Sequence, residues 1–296
     1  MDNNKRLKIA IQKSGRLADM SLQLLEKCGI QLSKSRDQLL CPSQNFPLDV
    51  FLVRDDDIPA FLVTDVCQLG VLGQNVLREK QTIGNGKFAG LREELALGYG
   101  RCRLSIAVPQ GFAYDGIASL QGKTVATSYK GLLGAYLQAN KIDADIVTME
   151  GAVEVAPRTH LADVICDLVS TGNTLISNGL IEKDVILQSE AVLVKNQIAD
   201  PEIARLCDKL MSRIRAVQRA ANSRYIMLNS PIESLAAIRA VLPGSQSPTV
   251  MPLQGRDDMV AVHAVCEEGV FWDTMEDLKA NGANSILVVP IEKMLD

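Results

Sequence analysis

Three observations predict an α/β protein with a two-lobed core followed by a small βαββαβ module. First, short apolar runs of strand length alternate with stretches of helical spacing, the pattern of a parallel sheet covered by helices. Second, the alternation is interrupted by a glycine-containing stretch at residues 84–100 and then starts again. Third, the order over residues 225–290 changes to strand, helix, strand, strand, helix, strand, the split βαβ or ferredoxin-like pattern. A chain of 296 residues, 47% of them apolar, is ample for two or three packed domains.

The elements follow in order. Residues 7–12 read as a strand, and 17–25 as a helix stopped by Gly29. Residues 48–53 form the next strand, ending at Arg54; Asp55, Asp56 and Asp57 then give an acidic first turn to a helix carrying Pro59. Residues 68–73 are a buried strand before another helix, and 84–100 are expected to be irregular. The restart runs strand 102–108, strand 123–127, helix 132–140, strand 144–149, helix 154–161 and strand 163–169. One long strand over 184–194 is expected to return to the first lobe, with a helix over 201–222 after it. The expected division is 1–101 with 190–223 as one lobe, 102–189 as the second and 224–296 as the terminal module. Two α/β lobes with two crossings give a periplasmic-binding-protein-like core, with ligands held at strand carboxyl ends in the cleft.

Composition narrows the chemistry. The net charge of −4 leaves no broad basic field, which argues against nucleic acid as a partner. Seven cysteines with no C-x-x-C suggest neither a disulfide framework nor a zinc site. With two histidines, His160 and His263, in no suggestive cluster, a Ser-His-Asp triad is not expected. The polar start, residues 1–6, has no signal-peptide core, and no apolar stretch reaches membrane-spanning length. The expectation is a cytoplasmic protein with no membrane partner.

The candidate chemistry sits where the strand 163–169 ends. Asp167 is followed by Ser170, Thr171, Gly172, Asn173 and Thr174 and then by a helix start. Such a turn presents several N–H groups in one direction and makes an anion site; Gly172 permits close approach and the hydroxyls add donors. A carboxylate beside a phosphate is repulsive, so Asp167 fits ribose hydroxyls or a hydrated Mg²⁺ instead. A plain helix cap with Asp167 on the surface accounts for the same pattern. Lys13, Gly15 and Arg16 form a second turn of this type, and Arg54 closes a strand. These cations suit diphosphate or triphosphate groups, or simply face water.

The flanks add a resemblance. Gly151 through Pro157, and Leu161-Ala162-Asp163-x-Ile165-x-Asp167-Leu168-Val169-x-Thr171-Gly172-x-Thr174, resemble the signature of the ATP phosphoribosyltransferase family. So do Gln12 through Leu17, Val53 through Pro59, Leu69-Gly70-x-x-Gly73-x-Asn75, Ala126 through Tyr129 and Ser285 through Met294, which span nearly the whole chain in order. The terminal module matches the long, histidine-regulated form. The chain departs from the family at His160, where glycine is usual, and at Gln68 and Gln74, where acids are usual.

The resemblance implies transfer of a 5-phosphoribosyl group from 5-phosphoribosyl 1-diphosphate to N1 of ATP, with diphosphate released, Mg²⁺ as cofactor and no protein nucleophile. It implies Asp167, Arg16 and Lys13 as catalytic. It implies Glu154, Asp167, Ser170, Thr171, Gly172, Asn173 and Thr174 for the sugar diphosphate, and Lys13, Gly15, Arg16, Arg54, Asp55 and Gly73 for ATP. Histidine and AMP are the implied inhibitors, with Thr249 and Ser285 near the histidine site, and dimers and hexamers the implied assemblies. Thr249 and Ser285 read equally as turn and strand-cap residues. The rival reading is a non-catalytic two-lobed binding or sensor protein. Others are a metabolite-sensing regulator built on the terminal module and a phosphoribosyltransferase for a different base.

Overall fold

A computed structural model describes residues 5–33, 38–242 and 247–294. Residues 1–4, part of the polar start, lie outside the described residues. The chain separates into two compact units, 1–207 and 208–296.

The first unit begins with β1 (Leu7–Gln12), α1 (Arg16–Lys27), β2 (Leu40–Pro42), β3 (Leu48–Val53), α2 (Ile58–Val63), β4 (Leu69–Gly73), α3 (Gln74–Ile83) and β5 (Arg92–Ala96). It continues with β6 (Cys102–Pro109), β7 (Thr124–Thr127), α4 (Lys130–Ala139), β8 (Asp145–Thr148), β9 (Val164–Val169), α5 (Asn173–Ser177), β10 (Leu180–Ser189) and β11 (Ala191–Lys195). These strands make two sheets. One is six-stranded, ordered β2-β3-β1-β4-β11-β5; the other is five-stranded, ordered β10-β6-β9-β7-β8.

In the first sheet β1 lies between parallel β3 and β4. Strands buried on both faces read as continuous apolar runs, and β4 is buried at all five positions. Ala10 of β1 packs with Ile58, Leu62, Leu72 and Val76, so α2 and α3 cover that face. In the second sheet Leu104, Ile106 and Val125 face Leu133 and Leu137 of α4, while Ala107, Ala126 and Ile165 face Val153 and Leu175 on the other side.

Three expectations are corrected. The stretch 84–100 is not wholly irregular, because β5 pairs with β11 at the sheet edge; its charged sequence, Arg-Glu-Glu, hid it. The expected helix 154–161 is two 3-10 turns, Val153–Val155 and Pro157–Thr159. Pro157 has no N–H to continue a helical ladder, and Ala152 and His160, both left-handed with φ of 52° and 58°, bound the segment. The single long strand 184–194 is two strands broken at Glu190, with β10 antiparallel to β6 and β11 antiparallel to β4. One continuous apolar pattern thus serves two sheets.

α6 (Pro201–Ala221) spans the division between the units. The second unit continues with β12 (Ser223–Pro231), α7 (Leu235–Val241), β13 (Thr249–Leu253), β14 (Arg256–Glu267), α8 (Glu268–Ala280) and β15 (Asn284–Pro290). Its sheet order, β13-β14-β12-β15, is antiparallel throughout, as the ferredoxin-like pattern requires. Alternate residues Ile226, Leu228, Val262 and Ala264 join Ile238 and Leu278 in its core. The seven cysteines form no disulfide; six are buried and Cys102 is partly exposed.

β4 is crossed so closely by α2 that a Cβ on Gly70 would stand 2.6 Å from Ile58 Cγ2 and 3.1 Å from Leu62 Cδ1. Gly70→Ala is expected to destabilise the chain by about 1–3 kcal/mol, read from urea unfolding.

Candidate functional site

The carboxyl ends of β3, β1 and β4 form one rim. Gln12 pairs with Val53, and Lys13 N–H donates to Val53 O at 2.8 Å, so Lys13 and Arg54 leave the sheet side by side. Gly15 then takes φ 92°, a conformation open to glycine at little strain, and Arg16 is the first residue of α1. Lys13, Arg16 and Arg54 are all exposed. Asp55 begins a 3-10 turn after β3, and burial first, then the Asp56 carboxylate, holds its carboxyl above the usual range. Gly73 caps the start of α3 at the end of β4. The sequence-chosen residues Lys13, Gly15, Arg16, Arg54, Asp55 and Gly73 therefore lie along one edge.

The ends of parallel β9, β7 and β8 form the opposite rim. Gly172, φ 83° and ψ −4°, turns the chain from β9 into α5. Ser170, Thr171, Asn173 and Thr174 are exposed. Within the described residues, the N–H groups of Thr171, Gly172, Asn173 and Thr174 donate to no acceptor. α5 has only five residues, so these local N–H groups, rather than a long helix dipole, make the turn attractive to an anion. The turn is anchored from beneath: Arg103 Nη1 donates to Ser170 O at 3.2 Å. Arg103 is itself gripped by both carboxylate oxygens of Glu182, which also accepts from Ser105 Oγ at 2.7 Å. Arg103 holds the Glu182 carboxyl below its usual range.

Asp167 lies on β9 just before the turn. Burial pushes its carboxyl up to about 6, against the Leu168 N–H that its Oδ1 accepts at 2.8 Å; the nearby Glu154 carboxylate adds to the rise. The two acids chosen from sequence thus share one environment. The rims meet at Tyr129, whose hydroxyl is raised first by burial and further by Asp56, Asp55 and Asp167. A pocket of about 350 Å³ beside the turn is lined by Gln74 at the start of α3 and by Arg101, Arg103, Ser170 and Glu190.

The departures from the family pattern fall into place. His160 adopts the left-handed conformation that a glycine takes most readily, so the backbone path is kept with local strain of about 1–2 kcal/mol. Gln68 precedes β4 at its amino end, where its Oε1 accepts Lys8 N–H at 3.1 Å, away from the rim. Gln74 is at the rim and donates to Glu93 at 2.8 Å. Thr249 and Ser285 lie on β13 and β15, the two outer strands of the terminal sheet. Three strand spacings, roughly 14 Å, separate those edges, so one chain's sheet does not bring the pair together.

Sequence reasoning missed the side chains that support the rims: Arg103, Glu182, Glu79 and Ser189. Their partners lie on other strands or helices, and nothing in local spacing signals that. Asn75 and Tyr129 stood inside family-like segments but had no assigned task.

A two-lobed α/β core with strand ends facing across a cleft defines a protein that holds a small ligand between its lobes. Residues 54–216 match the family model described as ATP phosphoribosyltransferase, and residues 220–293 match the HisG C-terminal domain. The chain is 48% identical over 292 residues, 98% of its length and 99% of the relative's, to the ATP phosphoribosyltransferase of Maricaulis maris (strain MCS10). Among solved structures it matches the ATP phosphoribosyl transferase (HisG:HisZ) complex from Thermotoga maritima at 28% identity and a TM-score of 0.58, covering 71% of this chain and 98% of that one. The chain belongs to the ATP phosphoribosyltransferase family and is a phosphoribosyl-transferring enzyme of histidine biosynthesis. The reading as a non-catalytic binding protein is not favoured.

The raised Asp167 carboxyl has a stability consequence of definite sign. Between the unfolded value near 4 and the folded value of about 6 the folded state holds more protons, so stability falls as pH rises through that window. Asp167→Asn is expected to stabilise the unliganded chain at pH 8 by about 1–2 kcal/mol and to change nothing at pH 3.5, compared by urea unfolding at the two pH values.

Proposed function

We propose that the 170–174 turn takes the 5-phosphate of 5-phosphoribosyl 1-diphosphate and that the opposite rim takes ATP. The observation that carries this reading is the set of four N–H groups at Thr171–Thr174 with no acceptor among the described residues, next to an acid already destabilised by burial. Hydrogen bonds to a charged acceptor contribute roughly 1.5–3 kcal/mol each, enough together to hold a phosphate without a lysine. Ser170, Thr171 and Thr174 supply hydroxyl donors, and Gly172 the close approach. Asp167 and Glu154 accept from the ribose hydroxyls.

Adenine N1 attacks the anomeric carbon as the bond from that carbon to the diphosphate oxygen breaks, giving N1-(5-phosphoribosyl)-ATP and diphosphate. Positive charge builds on the sugar and negative charge on the departing group. Catalysis is then orientation plus charge stabilisation. Lys13, Arg16 and Arg54 meet the diphosphate and triphosphate groups; Gly15 and Gly73 let the nucleotide approach the backbone, with Asp55 beside it. Lys13 and Arg16 favour the leaving diphosphate, and Asp167 fixes the sugar.

Among the described residues, no three His, Cys, Asp or Glu side chains gather as a metal site. Glu154 and Asp167 are hard oxygen donors within each other's field, and they fit Mg²⁺ carried in on the diphosphate. Bound there, the ion neutralises charge on the leaving group.

The lobes of the catalytic core are 1–101 with 190–223, and 102–189; residues 224–296 form the regulatory domain, through which histidine inhibits. AMP competes at the nucleotide rim, and chains associate as dimers and hexamers. The enzyme works in the cytoplasm. No described helix is long and apolar enough to cross a membrane.

Formation of phosphoribosyl-ATP, followed by absorbance, tests the reading. Asp167→Ala is expected to lower turnover at least about a hundredfold with no loss of melting temperature; near-normal turnover removes Asp167 from the site. Thr249→Ala is expected to raise the histidine concentration for half-inhibition several-fold without changing uninhibited turnover, measured in the same assay. An unchanged inhibition curve moves the effector site away from β13.

A further inference from the structure

The two sheets of the core are joined by an exchange of helix caps. Glu79 of α3 is 6% exposed, yet carries a carboxylate. Its Oε1 accepts Gly131 N–H at 2.8 Å and its Oε2 accepts Leu132 N–H at 2.8 Å, both in the first turn of α4 on the other lobe. The approach is tight: a Cβ on Gly131 would stand 3.1 Å from both oxygens and 2.4 Å from Ile83 Cγ2. In return, Ser189 at the end of β10 accepts Asn75 N–H at 3.0 Å in the first turn of α3, and donates its hydroxyl to Asn75 Oδ1 at 2.8 Å. Asn75 Nδ2 then donates to Tyr129 Oη at 2.9 Å. The residues before the two helices, Gly73 and Tyr129, supply no side-chain cap of their own.

We propose that Glu79 is a positioning residue that sets the separation of the two rims. Opening the cleft exchanges two charge-assisted hydrogen bonds and the Ser189–Asn75 pair for water, so the joined arrangement is the favoured one. Tyr129, at the end of this chain of contacts, lies in the fields of Asp55 and Asp56 on one rim and Asp167 on the other. What fixes Tyr129 against α3 therefore fixes the rims against each other. Glutamine at position 79 keeps the size of the side chain but turns an NH₂ group toward one of the two N–H donors, so one attraction becomes a repulsion.

This inference rests on the ligands assigned above, and a distinctive thermodynamic signature follows. If each ligand binds only the joined arrangement, loosening it weakens every first binding event by the same factor, and a first ligand restores the affinity for the second. Calorimetric titration of the full chain with AMP, as a non-reacting nucleotide, and with 5-phosphoribosyl 1-diphosphate tests this. For Glu79→Gln, both separate dissociation constants are expected to rise by one common factor of about tenfold. Each is expected to recover when the other ligand is saturating, and turnover at saturation to stay within about twofold of the parent. Ser189→Ala, from the other half of the exchange, is expected to show the same pattern at about threefold, and serves if Glu79→Gln does not fold. Unchanged dissociation constants, a change for one ligand alone, or lower turnover with unchanged affinity overturns the proposal. A parent chain that binds neither ligand overturns the assignment of the rims, whereas a parent that binds both with variants that match it overturns only the role of Glu79.

Discussion

A helix cannot bury its first turn unless the N–H groups there find acceptors. That requirement organises the catalytic core of this enzyme. At α3 and α4 the acceptors come from across the cleft, through Ser189 and Glu79. At the turn into α5, among the described residues, none comes, and four N–H groups are left without a protein acceptor. The same backbone chemistry therefore serves twice, once satisfied by protein to join the lobes and once left unsatisfied to receive an anion. The cations opposite, on the rim of β3 and β1, stand at exposed strand ends where a phosphate can reach them without passing through the core.

The acids follow a complementary logic. Glu182 is matched by Arg103 and sits below its usual range, so it acts as a brace under the turn. Asp167, on β9 with β6 between it and Glu182's β10, accepts the Leu168 N–H, is paired with no cation among the described residues, and sits well above its range. These two carboxylates thus differ in proton affinity, because one has its counter-charge built in and the other awaits polar groups from a ligand. Fold stability and ligand recognition make opposite demands on a buried acid, and each demand is met at a different residue.

Much of this was legible in the chain. The strands 7–12 and 48–53 and the long helix after residue 200 appear as expected because apolar spacing there has a single interpretation. The terminal module was readable for the same reason. The errors have physical causes. β5 was hidden because an edge strand tolerates charge. The break at Glu190 was hidden because strands on either side are apolar whichever sheet they join. Pro157 marked the weak point of the expected helix, but the left-handed Ala152 and His160 carry no such mark. At the site, glycine and hydroxyl residues at strand ends announced themselves by type and spacing. Glu79 did not: a glutamate in a polar helix reads as solvent-facing, and only the tertiary fold places α4 above it.

The distribution of sulfur has a practical consequence for anyone wishing to watch the cleft move. Six native thiols are sealed in packed interior, where thiol-directed reagents cannot easily reach. The partly exposed seventh, Cys102, is made less ready to ionise by burial. Fluorophores or spin labels could accordingly be attached through newly introduced surface cysteines on either side, without first stripping the polypeptide of its own sulfhydryls and disturbing the packing they provide.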